Sequence, residues 1–84
     1  MTRLWQEGAR IQVEMDSLGV PLCFTWDRQA HIVQNIANRW LTDAGWWKRH
    51  IRREYFKVTT DKGWLMIIYH DLTNDAWYVQ RLYD

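Results

Sequence analysis

The side chains that could carry acid–base or nucleophilic chemistry are Cys23, His31, His50, His70 and Asp71. His70 and Asp71 end an apolar run and enter a turn. As a pair they could exchange a proton with a substrate. An Asp at that position also caps a turn by accepting backbone amides, and that is the reading its surroundings favour. Cys23 sits in an apolar segment with no glycine-rich elbow around it, which points to a buried thiol of structural use. There is no second cysteine, no His-x-x-x-His and no acidic cluster at calcium-loop spacing. The four glycines are scattered, so no phosphate-cradling loop is formed. The expectation is a protein with no catalytic residues, no metal and no cofactor.

A second kind of chemistry is concentrated in DAGWWKRHIRREYF, Asp43 to Phe56. Lys48, Arg49, Arg52 and Arg53 hold four of the eleven positive charges of the chain, which leaves seven against ten carboxylates elsewhere. An anion contact would therefore be local and salt-sensitive. If the segment enters a strand, alternation puts Arg53, Tyr55 and Lys57 on one face, where bases could stack and phosphates be held. The other reading is a solvated face, with the cations paired to the protein's own acids. Trp46 and Trp47 are neighbours, so in extended chain they point opposite ways. That predicts one buried and one partly exposed, the exposed ring serving as an anchor for a partner. The candidate binding residues are thus Trp46, Trp47, Lys48, Arg49, Arg52, Arg53 and Tyr55.

The elements that must position these residues are strands. RIQVEM alternates Ile11, Val13 and Met15 against Arg10, Gln12 and Glu14, the pattern of a half-buried antiparallel strand. LCFTW alternates again, and Asp27-Arg28-Gln29 is short enough for a hairpin. AHIVQNI makes a third strand. From about Asn35 to Arg53 the period-two pattern is lost, and Ile36, Trp40 and Leu41 take helical spacing, so a short helix or a crossover is expected there. REYFKVTT then sets Phe56 and Val58 against Tyr55, Lys57 and Thr59. TDKGW is a hairpin turn with Gly63 at positive φ. WLMIIYH is apolar on both faces, as in a central strand, and DLTND is a turn. AWYVQRLY places Trp77 and Val79 on one side, Tyr78 and Leu82 on the other. The fold class predicted is mainly β: one domain over 1–84, a small antiparallel barrel or sandwich of about six strands, three plus three, with one short helix or crossover between the halves.

Composition agrees with this. Seven Trp, four Tyr and two Phe in 84 residues supply a core that so short a chain otherwise lacks, since each aromatic buries about 150–250 Å². The net charge is +1, which with the apolar content excludes a disordered chain. A lone cysteine and an opening, MTRLWQEGAR, without an apolar stretch of signal-peptide length point to the cytoplasm. WLMIIY is too short to span a bilayer, so no membrane partner is expected.

The order and spacing of Trp46-Trp47, Arg53, Tyr55, the VTTDKG hairpin from Val58 to Gly63, Trp77 and the terminal Tyr83-Asp84 resemble the C-terminal domain of ImuB-type proteins. Those are catalytically inactive relatives of Y-family DNA polymerases. Small stand-alone bacterial proteins share the domain. The likeness covers about residues 20–84 and carries no catalytic residue. It implies an accessory role in bacterial DNA-damage tolerance, with a repair or replication protein as partner. Two readings of function follow: a non-enzymatic adaptor that binds a protein through an exposed aromatic and a strand edge, or a small barrel that binds single-stranded nucleic acid through 48–53 and nearby aromatics. A homodimer is compatible with either.

Overall fold

The computed structural model describes the backbone of residues 2–46 and 49–83, and the side chains of 4, 5, 8–43 and 51–83. Six strands follow one another: β1 (Thr2–Met15), β2 (Pro21–Trp26), β3 (Gln29–Trp46), β4 (Arg49–Thr60), β5 (Leu65–Asp71) and β6 (Ala76–Tyr83). Each pairs antiparallel with the next, and β1 closes on β6, so the chain is a six-strand barrel in simple meander order. Closure works because β1 changes partner. Thr2 to Leu4 and Ala9 to Ile11 pair with β6, and Gln12 to Met15 pair with β2.

Turn chemistry sets the register. Asp27 and Arg28 join β2 to β3 with φ of 50° and 64°, the two positive values of a type I′ hairpin whose twist matches its strands. Gly63, at φ 77°, turns β4 into β5, and Thr60 ties that turn by accepting Gly63 N–H at its carbonyl and Trp64 N–H at Oγ1. One side chain in two points inward. Ile11, Phe24, Phe56, Val58, Met66, Ile68, Trp77, Val79 and Leu82 fill the barrel, and Trp5 packs edge-on to Trp26 at one margin, 5.0 Å between centroids.

The barrel and its count of strands agree with the sequence reading; three details differ. The expected helix or crossover between the halves is instead one long hairpin, with β3 and β4 in register from Asn38↔Lys57 to Trp46↔Arg49. Two bulges, between Val33 and Asn35 and between Ile36 and Asn38, each shift the alternation, so the apolar residues fall at helix-like spacing although the chain stays extended. Leu82 lies in the core with Trp77 and Val79, because a bulge opposite Ile67/Ile68 reverses the facing of the last residues of β6. Cys23 is half-buried rather than enclosed: it faces outward, its Sγ 3.4 Å from Glu14 Oε2.

Candidate functional site

The outward faces of β3 to β6 carry a row of aromatic rings. Trp40, Tyr55, Tyr69 and Tyr78 are direct cross-strand partners on four successive strands. Strand spacing of about 4.8 Å makes such rings stack like books on a shelf. Centroids are 5.3 Å apart for Trp40–Tyr55, 5.1 Å for Tyr55–Tyr69 and 5.1 Å for Tyr69–Tyr78. Each ring covers its neighbour, so Tyr55 and Tyr69 are buried although they lie outside the barrel. Burial pushes the Tyr69 hydroxyl above its ordinary pKa, with Arg53 opposing. The row ends at Trp40, because among the described residues no strand pairs beyond β3 at that level.

That end is the edge of the sheet. β2 is only six residues long and reaches β3 from Gln29 to Ile32. From Gln34 to Thr42 no strand pairing among the described residues reaches the side of β3 away from β4. Asn38 Oδ1 accepts Arg39 N–H at 2.9 Å, a side chain standing in for the absent strand. The two bulges lie near the barrel, and from Asn38 onward the edge is regular. Leu41, on that regular stretch, is 50% exposed.

The sequence-predicted residues are divided by this geometry. Trp47 and Lys48 lie outside the described residues. Trp46 and Arg49 are placed by backbone alone, opposite each other where β3 ends and β4 begins, so which tryptophan faces outward falls outside the description. Arg52 and Arg53 point to opposite faces. Arg52 stands by Asp43, 3.9 Å apart and half-exposed on both sides. On the same face Arg39 is bound to Glu54 at 3.0 Å and lies over Phe56. Arg53 lies 4.9 Å over the Tyr69 ring, and a side-chain hydrogen bond with Tyr55 raises its pKa against the effect of burial. Tyr55 joins Arg53 and Lys57 on one face as alternation predicts, but inside the row and not as an open stacking surface.

Sequence reasoning placed Lys57 on the face of Arg53 and Tyr55 but did not assign Trp40, Tyr69, Tyr78, Arg81 or Tyr83 to a site. Tyr55, Tyr69 and Tyr78 each sit at an outward position of their strands, a signal visible once strands are aligned. Trp40 was hidden in the segment read as helix or crossover. Lys57 and Arg81 lie over the Tyr83 ring at 5.5 and 5.7 Å, and Arg81 also donates to the Tyr83 hydroxyl at 3.3 Å.

The His50 side chain lies outside the described residues, and the other groups weighed for catalysis, Cys23, His31, His70 and Asp71, are not assembled. Strand alternation sends His70 inward and Asp71 outward. His70 stacks on Trp77 at 4.3 Å, and its Nε2 is 2.8 Å from Asp75 Oδ1. Asp71 caps the following turn, accepting Thr73 N–H, Asn74 N–H and the Asn74 side-chain amide. His31 is fully buried against Phe24 and Trp64, its Nδ1 3.4 Å from Thr60 Oγ1. A groove of about 650 Å³ opens where β1 changes partner, with Arg10, Gln12, Thr25 and Asp75 around Ile11 and Trp77. No group of three or more metal-ligating side chains occurs among the described residues.

A family model described as a domain of unknown function, DUF6504, matches residues 4–84, and the chain belongs to that family. No curated protein and no solved structure matches it.

Proposed function

We propose that this DUF6504 domain is a non-enzymatic adaptor that takes an extended segment of a protein partner as an added strand on the edge of β3. The observation that carries the reading is the run from Gln34 to Thr42, which is paired on one side only among the described residues. An edge of that length presents donors and acceptors at strand spacing, and proteins that do not use such an edge cover, shorten or bulge it. Here the bulges stop at Asn38 and the following stretch is regular. An added strand would gain main-chain hydrogen bonds along Asn38 to Thr42, with side-chain contacts alternating between the two faces. On one face they meet Trp40, whose far side ends the aromatic row. On the other they meet Leu41, flanked by Arg39. The partner segment that fits has an apolar residue opposite Leu41 and an apolar or aromatic residue against Trp40. In the setting implied by the ImuB-type resemblance, that segment belongs to a repair or replication protein in the bacterial cytoplasm.

The test is selection of binding peptides from a displayed random library, followed by titration against variants. Trp40→Ala and Leu41→Lys each weaken the selected peptides by more than about 2 kcal/mol, the loss typical of a central anchor. Peptides whose affinity is indifferent to both substitutions would refute the proposal.

A further inference from the structure

The described cations of the long hairpin and of the outer face of the barrel fall into two groups. On the face that continues the barrel interior, each described arginine of the long hairpin stands beside a carboxylate: Arg39 by Glu54 and Arg52 by Asp43. On the outer face of β4 to β6 the partners are rings. Arg53 lies over Tyr69, and Lys57 and Arg81 lie over Tyr83. Arg10 is exposed and opposite Tyr78 in the β1–β6 register. Among the described residues none of these four has a carboxylate within salt-bridge distance. The one described acid on this face, Asp71, is opposite Arg53, and its oxygens are taken by two backbone amides and the Asn74 amide. The Nε–H groups of Arg53 and Arg81 are buried and have no acceptor among the described residues, so a ligand would meet the terminal nitrogens of each guanidinium. A ring holds a cation in place without neutralising it, so among the described residues this face sets four cations against the one carboxylate of Asp71, although the chain carries only +1.

Their spacing is that of a strip. Arg53 and Lys57 are four residues apart on one strand, about 13 Å. Lys57, Ile67 and Arg81 are register partners on three successive strands, so Lys57 and Arg81 are about 10 Å apart. Tyr78 and Tyr83 are only partly covered and lie between these charges. Positive charge alternating with half-exposed rings on a sheet face suits a ligand that has both a chain of anions and unstacked planar groups. A duplex turns its bases away from such rings, and a lipid headgroup layer offers no planar group to them.

We infer that the outer face of β4–β6, with Arg10 of β1, is a second binding site, for single-stranded nucleic acid: Arg10, Arg53, Lys57 and Arg81 contact phosphates, and Tyr78 and Tyr83 receive bases. The site reads charge and stacking, not base identity. It lies apart from the β3 edge, so the two sites fail or succeed independently.

The test is fluorescence anisotropy of the full chain with labelled oligothymidylate, a duplex of equal length and anionic phospholipid vesicles. Single strands bind saturably at low salt. Three to four phosphate contacts weaken that binding roughly 20- to 50-fold between about 50 and about 200 mM salt, and each cation removed lowers the logarithmic salt slope by about 0.7. Lys57→Glu with Arg81→Glu abolishes binding, Lys57→Arg retains it, and Arg52→Glu on the opposite face leaves it unchanged, all with unaltered melting. The inference is overturned by absence of single-strand binding at low salt. Equal sensitivity to Arg52→Glu, or equal binding of duplex or vesicles, also overturns it.

Discussion

Gly8 tests how β1 crosses the aromatic row. The register of β1 with β6 breaks between Leu4 and Ala9, and within that break Gly8 takes φ 79°. A Cβ there would stand 2.5 Å from the Tyr69 hydroxyl and 2.7 Å from Tyr78 Cβ. The hydroxyl is the far end of a side chain, though one buried between two rings; Tyr78 Cβ is fixed to the backbone of β6. Gly8→Ala therefore adds two costs: about 1–2 kcal/mol for a left-handed backbone and about 1–3 kcal/mol for overpacking. Gly63 isolates the second, since it has φ 77° and nothing within 4 Å of a Cβ. Both substitutions gain the same unfolded-state entropy, which cancels in the comparison. In a domain of this size 1 kcal/mol is about 4–8 °C, so Gly8→Ala melts roughly 5–20 °C below Gly63→Ala. Paired thermal or urea unfolding measures this. Equal melting of the two variants would refute the close packing of β1 on Tyr69 and Tyr78.

Three further outcomes are expected. His31 is buried and its pKa is lowered, first by burial and then by Lys62, with Asp61 opposing; the native state therefore needs the neutral ring, and stability present above about pH 6.5 is lost as pH falls below it. Urea midpoints at acid and neutral pH show this for the parent chain, and His31→Phe flattens the dependence. Burial, and then Glu14, raise the Cys23 thiol, so alkylation at neutral pH is slow and Glu14→Gln speeds it; an unchanged rate contradicts the contact. Asp71→Ala removes three hydrogen bonds in the β5–β6 turn and costs about 1–3 kcal/mol in urea unfolding, whereas a loss within error would show the cap to be idle.

Much of the barrel is legible in the chain because its local signals agree. RIQVEM, LCFTW and REYFKVTT alternate at period two, and the turns at Asp27-Arg28 and Gly63 carry residues suited to their backbone angles. The long hairpin is hidden by register. Each bulge in β3 shifts the alternation by one residue, and beyond the second an outward Trp40 next to an inward Leu41 leaves Ile36, Trp40 and Leu41 at helical spacing. An edge strand is also polar on both faces, as Asn35, Asn38, Arg39 and Thr42 are, so the contrast that marks a strand is weak. Leu82 is misplaced for the same reason, one bulge. The candidate site is legible only in part. Arg53, Tyr55 and Lys57 do share a face, because alternation in β4 is unbroken. The Trp40–Tyr55–Tyr69–Tyr78 row depends on registers across three strand pairs, which no local pattern contains. The separation of Arg52 from Arg53 follows from alternation; that one stands by a carboxylate and the other over a ring does not.

The reading of this domain as an acceptor of a partner strand rests on the edge of β3, and residue-resolved amide hydrogen exchange tests it directly. In the chain alone, amides of Tyr55 to Thr59, bonded within a ladder flanked by β3 and β5, exchange slowly, while those on the outer side of β3 from Gln34 to Thr42 exchange fast. With a selected peptide bound, the account predicts new protection at alternate residues along Asn38 to Thr42. Protection confined to β4–β6, or none on β3, would contradict it.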